Sequence, residues 1–555
     1  MVMNRRRALL AFGTLGVAPA LGASAPAVVK GPRFDHGVAS GDPLQDRVIL
    51  WTRISGSESG LEVVWQIAED DSFHAPVAQG RQWCDFSRDY TVKIDAGGLK
   101  AGRPYHYRFI AGDVTSPVGL TRTLPEKTER VVLAAASCAL YPGGYFNAYR
   151  AITELREIDA VVFLGDYIYE YGAGPTDYGM GNGRVLMRIP EPMRETVSLE
   201  DYRTRHAQYK RDPDLQAAHA RAAWICVFDD HEICNNPWRD GAQNHNAGEG
   251  DWSARKAAAI KAWREWMPVR DPAPGADIDD IYRSFRFGDL AELVMLETRL
   301  LARSRQLDYA QDLTYLADGT PDLAAFRQRL DDPSRQVLGA AQRDWLANTL
   351  SGSVRDGVRW QIFGNQVVMA RVNGPDVRKL PVRVEEVAAA LPDDARRKLD
   401  TFMDLFGSDD PMPFNLDAWD GYPAERERLY DLIRQAGARA IVLSGDSHTA
   451  WANALHDASG APVAAELGVT AISSSTRWLD SWLPDLHLAQ ALAERNDEVL
   501  AADDAYNGFV RLTLTPDMAL GEWMSVDTVV KRDFTCFSQR RFEIRADQGV
   551  AGFVA

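Results

Sequence analysis

The chain has 555 residues, of which 46% are hydrophobic and 25% are charged. This composition supplies a large core and excludes an intrinsically disordered chain, and the length predicts two domains or one large domain with an appendage. The formal net charge of −16 argues against nucleic acid as a partner, because an acidic surface repels polyanions, although a local positive site can still bind a small phosphate.

Residues 1–27 are predicted to be a targeting signal. Three arginines, Arg5 to Arg7, precede a weakly apolar stretch that reaches Leu21, and small residues at 23–27 offer cleavage sites. This order is typical of a twin-arginine signal, so we expect the twin-arginine export machinery as a partner and a periplasmic or secreted location. The alternative is a membrane anchor, which the short, Gly-rich stretch fits poorly, and no stable membrane insertion of the mature chain is expected.

Residues 33–125 are predicted to form a small all-β domain. Four short apolar segments, at 48–52, 61–68, 90–94 and 105–111, are separated by turns rich in Gly, Asp and Ser. This spacing is typical of a β-sandwich. Residues 123–127 are predicted to be the linker to the next domain.

Residues 130–545 are predicted to form an α/β catalytic domain, because apolar strands alternate with helical stretches. Helices are expected at 145–156, 252–266 and 425–436. Residues 172–200 are rich in Gly and Pro, so we expect a long loop there, able to shape access to a site.

Five apolar runs in this domain end in residues that can bind metals or transfer protons. The run at 161–164 leads into Gly165-Asp166-x-x-Tyr169, in which a carboxylate and a phenol can reach one metal ion. The other four lead into Ser137-Cys138, Asp229-Asp230-His231-Glu232, Gly364-Asn365-Gln366 and Ser444-Gly445-Asp446-Ser447-His448. Open α/β sheets bind ligands at the carboxyl ends of their strands, so the pattern predicts one site. The alternative for any single member is a turn residue or a helix cap.

The cysteine content is odd, with five residues in a chain predicted to be exported. At least one thiol is therefore unpaired or bound to a metal, and Cys138 is the predicted ligand because it ends a strand. Cys226 could pair with Cys234, and Cys84 with Cys536, or these could be free buried thiols; the sequence leaves both open.

The ordered set of motifs resembles the PhoD-like alkaline phosphatase and phosphodiesterase family of the calcineurin-like metallophosphoesterases. Residues 34–43, Phe-Asp-His-Gly-Val-Ala-Ser-Gly-Asp-Pro, and residues 419–423, Trp-Asp-Gly-Tyr-Pro, also resemble it. The resemblance covers most of residues 33–530. It implies a four-layer core of two sheets flanked by helices, behind a fibronectin- or immunoglobulin-like N-terminal domain. The implied activity is hydrolysis of phosphate mono- and diesters for phosphate scavenging.

The predicted ligands divide into two sets, of which the first is soft. Cys138, Tyr169 and His448 offer a thiolate, a phenolate and an imidazole. Because the pKa of tyrosine is about 10 in water, binding a phenolate at neutral pH requires a strongly acidic cation. Ferric iron fits this set, whereas magnesium and calcium do not favour thiolate.

The second set, Asp230, Asn365 and Asp446, offers only oxygen atoms. Oxygen ligands favour a hard cation, for which Ca²⁺ is our prediction, and Asp166 can bridge the two metals. This agrees with the resemblance, which implies Fe³⁺ with one or two Ca²⁺ ions. The alternative for Asn365 is a turn residue.

His231 is the predicted general acid or phosphate donor, because it adjoins the ligand Asp230 and the leaving alkoxide needs a proton. The alternative is a structural histidine tied to a carboxylate. Asp229 and Glu232 are expected to orient ligands. Residues 296–299 read Leu-Glu-Thr-Arg where the family has Leu-Asp-Thr-Arg, which weakens a role for Glu297 but leaves Arg299 as a candidate contact to phosphate.

Two other functions are kept as alternatives. One is a phospholipase D-like phosphodiesterase, which a broad apolar rim around the pocket would favour. The other is a non-catalytic binding module of the same fold. The complete set of ligand residues argues against that module.

Overall fold

A computed structural model of the protein describes residues 31–273, 275, 279–379, 403–407, 411–477, 487–547 and 549–554. The predicted signal at residues 1–27 lies outside the described residues. Within them, no helix has the length and apolar character needed to span a membrane.

The N-terminal part is all-β, as predicted, and contains the four expected strands. Its strands are β1 (Val38–Gly41), β2 (Arg47–Arg53), β3 (Leu61–Ala68), β4 (Ala78–Cys84), β5 (Thr91–Gly97), β6 (Pro104–Ala111), β7 (Val114–Thr115) and β8 (Gly119–Arg122). Strands β4, β3, β6, β7 and β8 form one sheet. Apolar side chains of β2, including Leu50, share a buried cluster with Val63 of β3 and Tyr107 of β6, which gives this part its sandwich packing.

The rest of the chain adds two large sheets. Its strands are β9 (Val131–Ala136), β10 (Ala160–Phe163), β11 (Ala223–Cys226), β12 (Pro237–Trp238), β13 (Gly241–Ala242), β14 (Arg283–Phe287), β15 (Ala291–Met295), β16 (Trp360–Gly364), β17 (Ala440–Ser444), β18 (Ala450–His456), β19 (Pro462–Gly468), β20 (Val499–Asp503), β21 (Asn507–Leu514), β22 (Ala519–Val526), β23 (Cys536–Asp547) and β24 (Val550–Phe553). The five apolar runs that precede predicted site residues, at 130–136, 161–164, 222–228, 358–363 and 440–443, correspond to β9, β10, β11, β16 and β17, and each strand begins and ends within two residues of its run.

One sheet has ten strands in the order β24-β23-β22-β21-β9-β10-β11-β1-β2-β5. Its last three strands come from the N-terminal part, since β1 pairs in parallel with β11, with Ser40 opposite Ala223. The sheet therefore crosses the proposed linker, and the division at residues 125–130 stays a prediction from sequence.

The second sheet has seven strands in the order β14-β15-β16-β17-β19-β18-β20. Buried side chains of both large sheets, among them Leu133 and Val162 from one and Ile362 and Leu443 from the other, belong to one apolar cluster. The described helices are α1 (Asn147–Thr153), α2 (Met180–Val185), α3 (Leu199–Lys210), α4 (Pro213–Arg221), α5 (Trp252–Trp266), α6 (Tyr309–Asp312), α7 (Leu323–Leu330), α8 (Gly339–Arg355), α9 (Pro423–Ala436) and α10 (Leu488–Arg495). The expected four-layer fold with helices outside two packed sheets is confirmed.

Helix α5 has the predicted limits, 252–266. It begins where the side chain of Asp251 accepts a hydrogen bond from the backbone N–H of Ala254, because an N-terminal cap satisfies an otherwise free amide. The expected long loop at 172–200 was wrong in part: residues Met180–Val185 form the short helix α2, and α3 begins at Leu199.

All five cysteines are free thiols, and every one except Cys536 is buried. Neither pairing considered from the sequence is formed in the structure, so the free-thiol alternative describes it.

Three histidines of the first half, His36, His206 and His219, are buried. Burial lowers the pKa of His36 and that of His206 to about 3. His206 stacks on Trp266 with ring centroids 6.4 Å apart, and neither of its ring nitrogens has a hydrogen-bond partner among the described residues. The fold therefore holds this ring neutral, through burial first and then through the nearby charges of Lys210 and Arg205, which also lower its pKa.

We expect acid to destabilise the protein in part through these rings. The unfolded chain binds a proton at each ring near pH 6.5, while His206 in the folded chain does so only near pH 3, so stability is full above pH 6.5 and falls as the pH drops. Each ring contributes about 1.4 kcal/mol per pH unit in that window. The free energy of unfolding, measured with urea at pH 7, 6 and 5, should decrease less with falling pH in His206→Phe than in the wild type. The exposed His74→Gln is the control and should follow the wild type. Equal decreases in His206→Phe and the wild type would contradict this account.

Candidate metal centre and active site

The predicted soft ligands meet at the edge where strands β9, β10 and β17 end. Oδ2 of Asp166 lies 3.3 Å from Sγ of Cys138 and 3.1 Å from the hydroxyl oxygen of Tyr169. That hydroxyl oxygen is 3.3 Å from Nε2 of His448. One donor atom from each of Cys138, Asp166 and His448 lies within 4.8 Å of the others, so these side chains can share one ion.

A second group of donors adjoins the first and shares Asp166. Carboxylate oxygens of Asp166, Asp229, Asp230 and Asp446 all lie within 4.8 Å of one another. Oδ1 of Asp230 is buried and accepts no hydrogen bond from the described residues. An orphaned buried carboxylate oxygen is costly unless it is paired with a cation, which fits a metal at this group.

Asn365 ends strand β16 at the same edge and is fully buried. Its Oδ1 accepts a hydrogen bond from Nε1 of Trp419 at 3.1 Å, and its Nδ2 donates to the carbonyl of Val367. Because an amide oxygen has two lone pairs, Oδ1 keeps one for a further partner. Its assignment as a metal ligand stays a prediction.

Four predicted ligands adopt a backbone conformation that is rare for residues other than glycine. The φ angles are 62° at Cys138, 60° at Asp166, 64° at Asp446 and 58° at His448. Left-handed conformations of this kind cost on the order of 1 kcal/mol or more each, and they cluster at functional sites. The loops after β9, β10 and β17 thus turn sharply and aim these side chains at one point.

Gly165 explains why the loop after β10 can approach the loop after β11. Its φ is 110°, and a Cβ atom there would lie 2.3 Å from Cβ of Asp229. Glu232 then joins the two loops, because its carboxylate accepts the backbone N–H groups of Asp166, Tyr167 and Asp229 at 2.7–3.0 Å. This contact agrees with the predicted orienting role of Glu232.

The electrostatics of the centre also fit a bound cation. Burial raises the pKa of Asp166, Asp446, Cys138 and Tyr169 well above their ordinary values, and neighbouring acidic groups add to the effect. Low-dielectric surroundings disfavour so many anions unless cations neutralise them. Thiolate, phenolate, imidazole and carboxylate donors together form a set that metals, rather than protons, can hold ionised.

His231 lies beside the carboxylate group and lines the adjoining cavity. Its Nε2 is 3.9 Å from Oδ2 of Asp230, and its Nδ1 is 2.7 Å from Oε2 of Glu170. Burial alone would lower the pKa of His231, but Asp230 and Glu170 outweigh it and raise that pKa well above its ordinary value. These two carboxylates therefore favour the protonated form of the ring.

Arg299 is fully buried behind the carboxylates. Its Nη2 donates to Oδ2 of Asp229 at 3.1 Å, its Nη1 donates to Oδ2 of Asp417 at 2.6 Å, and Nη2 lies 3.7 Å from Oδ1 of Asp446. Since its guanidinium is already engaged and has no exposed surface, this placement favours neutralising and orienting Asp229 over the predicted direct contact to phosphate.

Several residues that contact the centre were not predicted. Ser474 Oγ donates to the hydroxyl oxygen of Tyr169 at 2.8 Å, and the Tyr178 hydroxyl lies 3.3 Å from Nδ1 of His448. Glu170 holds His231, and Asp417 holds Arg299. The only sequence signal was for Glu170, an acidic residue directly after the ligand Tyr169.

A cavity of about 1230 Å³ opens from the centre, formed by described residues. His231, Asp446 and His448 are among its lining residues. Its walls carry many aromatic side chains: Tyr171, Tyr178, Trp238, Tyr309, Tyr315, Phe406, Phe414 and Trp451. A cavity of this size can accept an ester with a large alcohol group.

Known proteins similar to this chain point to one family. Residues 133–523 match the PhoD-like phosphatase family, and residues 20–125 match the PhoD-like phosphatase N-terminal domain. Alkaline phosphatase D of Bacillus subtilis (strain 168) is 31% identical over 532 residues, which make up 93% of this chain and 81% of that protein. A solved structure of PhoD has a TM-score of 0.77 and 30% identity, and the match covers 96% of this chain and 94% of that one.

A more distant structure has the same fold. Purple acid phosphatase PPD1 from seeds of yellow lupin (Lupinus luteus) matches with a TM-score of 0.53 and 13% identity over 94% of this chain and 75% of its own. The resemblance drawn from the motifs is therefore confirmed, and the metallophosphoesterase fold implies metal dependence. The chain belongs to the PhoD-like phosphatase family and is a metal-dependent hydrolase of phosphate esters.

Proposed function

We propose that this phosphatase is an exported enzyme that releases phosphate from mono- and diesters, with ferric iron beside one or two calcium ions in its centre. The observation that carries the proposal is the shared carboxylate of Asp166, which belongs both to the group with Cys138 and His448 and to the group with Asp230 and Asp446. Two adjacent donor groups of different chemistry are what a centre with two different metals requires.

The assignment of iron is supported by the donors around Tyr169. Its hydroxyl oxygen lies between Oδ2 of Asp166 and Nε2 of His448, and burial raises its pKa well above the ordinary value. Only a strongly acidic cation would hold such a phenol ionised at neutral pH. Ferric iron meets this need and also accepts the thiolate of Cys138.

The assignment of calcium is supported by the oxygen-only group. Oδ1 of Asp230 accepts no hydrogen bond from the described residues, Asp446 lines the cavity, and Asn365 keeps a lone pair on Oδ1. Calcium takes oxygen ligands in flexible geometry. Arg299 would complete this group by neutralising Asp229, which otherwise adds a further negative charge beside Asp230.

The chemistry would divide between the bound cations and the chain's own groups. Cations held by these ligands supply an activated water molecule and neutralise charge on the phosphoryl group. Asp166 would keep the two donor groups next to each other, because its carboxylate belongs to both. The cavity wall that contains Tyr171 and Tyr178 would enclose the ester. As the ester P–O bond breaks, its electron pair stays on the alcohol oxygen, which takes a proton from Nε2 of His231.

A phospholipase D-like diesterase is the second candidate, and the aromatic cavity is the observation that favours it. Eight aromatic side chains line that cavity, among them Tyr315, which is 56% exposed. Such walls suit a diester with a large apolar group. The non-catalytic module is set aside, because the family is one of phosphatases.

Export is proposed from the sequence alone. The arginines at 5–7 and the weak apolar stretch after them support a twin-arginine signal. Folded export would let the protein load its metals before it leaves the cytoplasm.

The iron proposal predicts a visibly coloured protein, because a phenolate or thiolate bound to ferric iron gives charge-transfer absorption. Tyr169→Phe should abolish the phenolate band while the protein stays folded, since the ring is kept. Tyr178→Phe is the matched control and should retain the band, because its hydroxyl contacts His448 but is not a proposed ligand. Absorption spectra and metal analysis of each protein test this; active, colourless protein without iron would replace the proposal with a zinc or manganese centre.

The proton-donor proposal predicts a dependence on the leaving group. His231→Ala should lower kcat about 10²–10⁴-fold on alkyl phosphates, the usual size of acid–base catalysis, and much less on nitrophenyl phosphates, which leave without protonation. His245→Ala, in the segment between β13 and α5, should leave both rates unchanged. Equal losses on the two substrates would indicate that His231 binds phosphate or is structural.

The export proposal predicts that replacing Arg6 and Arg7 together by Lys leaves unprocessed precursor in the cytoplasm, because the export machinery reads the arginine pair. Immunoblots of cytoplasmic and exported fractions measure this. Normal export of the double variant would instead favour the general secretory route.

A further inference from the structure

Glu170 is a fully buried carboxylate that directly follows the proposed ligand Tyr169. Its Oε2 lies 2.7 Å from Nδ1 of His231. Its Oε1 accepts the backbone N–H of Asn235 and an N–H of the Asn244 side chain, both at 2.8 Å. Each carboxylate oxygen therefore has a donor, and one of these donors is the proposed proton donor of the reaction.

The contact determines which ring nitrogen of His231 faces the reaction centre. An ionised carboxylate can only accept hydrogen bonds, so Nδ1 donates to Glu170. Nε2 is then left on the side of the metal-binding carboxylates, 3.9 Å from Oδ2 of Asp230, in a ring that lines the cavity. The plane of the ring is held as well, because it packs on Tyr169 with centroids 4.1 Å apart.

The carboxylate itself cannot swing away, because its other partners are anchored. The Asn244 side chain also donates to Oε1 of Glu195 at 3.2 Å. Arg255 of α5, itself 1% exposed, donates to the carbonyl of Asn244 at 2.9 Å and to Glu195 at 2.7 Å. Helix α5 thus fixes the frame in which Glu170 holds His231.

We propose that Glu170 is the positioning residue for proton donation: it holds Nδ1–H of His231 so that the proton on Nε2 reaches the leaving oxygen. The inference rests on the proposed general-acid role of His231. The oxygen of a water molecule becomes bonded to phosphorus while that water loses one proton to solvent, the ester P–O bond breaks with its electron pair on the alcohol oxygen, and that oxygen takes the Nε2 proton. Nε2 regains a proton from solvent, while the Nδ1 proton stays between His231 and Glu170. Glu170 touches neither substrate nor reacting atoms.

Glu170→Gln tests this role with almost no change of shape. The amide can still accept from Asn235 and Asn244, but it presents an N–H to Nδ1 and lacks the negative charge that supports the protonated ring. We expect kcat on alkyl phosphates to fall about 10–100-fold, the usual effect of removing such a supporting carboxylate. KM, iron and calcium content and the rate on nitrophenyl phosphates should change by less than about 3-fold, since the ligands are kept.

Glu466→Gln is the matched control. Glu466 is also fully buried, and it also accepts backbone N–H groups, those of Met369 and Ala370, and the side-chain amide of Asn453 at 2.8 Å. Its hydrogen-bond partners among the described residues include no histidine. The unmatched amide lowers the stability of this variant, but the ratio of alkyl to nitrophenyl rates should stay that of the wild type.

The double variant of Glu170→Gln with His231→Ala separates this inference from the proposed function. If Glu170 acts through His231, the second change should add nothing to the loss on alkyl phosphates. Additive losses, or equal losses of Glu170→Gln on both substrate classes, would overturn the positioning role. If His231→Ala alone lacks leaving-group dependence, the general-acid role itself fails. If His231→Ala loses more rate on alkyl than on nitrophenyl phosphates and Glu170→Gln does not, the inference about Glu170 is overturned while the general-acid role of His231 stands.

Discussion

The concentration of buried acidic groups at one sheet edge is the constraint on which the structure depends. Carboxylate oxygens of Asp166, Asp229, Asp230 and Asp446 lie within 4.8 Å of one another, where like charges repel strongly and water is scarce. Within the described part of the chain, Arg299 and His231 are the basic side chains within 4.0 Å of these carboxylates. Two basic side chains cannot neutralise four carboxylates. In a phosphatase of this family, metal cations are expected to neutralise the remaining negative charge.

The backbone conformation of the ligand loops brings these charged side chains together at a cost in local stability. Cys138, Asp166, Asp446 and His448 all occupy the left-handed region, and the loop after β9 is joined to the loop after β19 where Ser137 bridges to Ala471. Each such turn is unfavourable for a residue with a Cβ atom. The packed strands behind the turns, rather than the turns themselves, therefore supply the free energy that keeps the ligands together.

Much of the fold could be predicted because its signals are local. An apolar run followed by Gly165 and Asp166 indicates both a buried strand and the residue at its end, and the pattern of 252–266 alone gives α5 its limits. The pairing of β1 with β11 could not be predicted, since residues 40 and 223 meet only through the fold. The contact between Arg299 and Asp417 could not be predicted for the same reason. The two residues are 118 positions apart, and no local sequence pattern at either one indicates the other.

Glu170 shows the same difference between local signals and contacts distant in sequence within the site. Its neighbour Tyr169 was predicted as a ligand from spacing alone, but the role of Glu170 depends on His231, 61 residues later. The six residues from Gly165 to Glu170 connect the proposed metal site to the proposed proton donor. Asp166 and Tyr169 contact the other metal-binding side chains, while Glu170 contacts His231. In the proposed mechanism, this one short loop therefore fixes the distance between the metal ligands Asp166 and Tyr169 and the carboxylate that holds the proton donor.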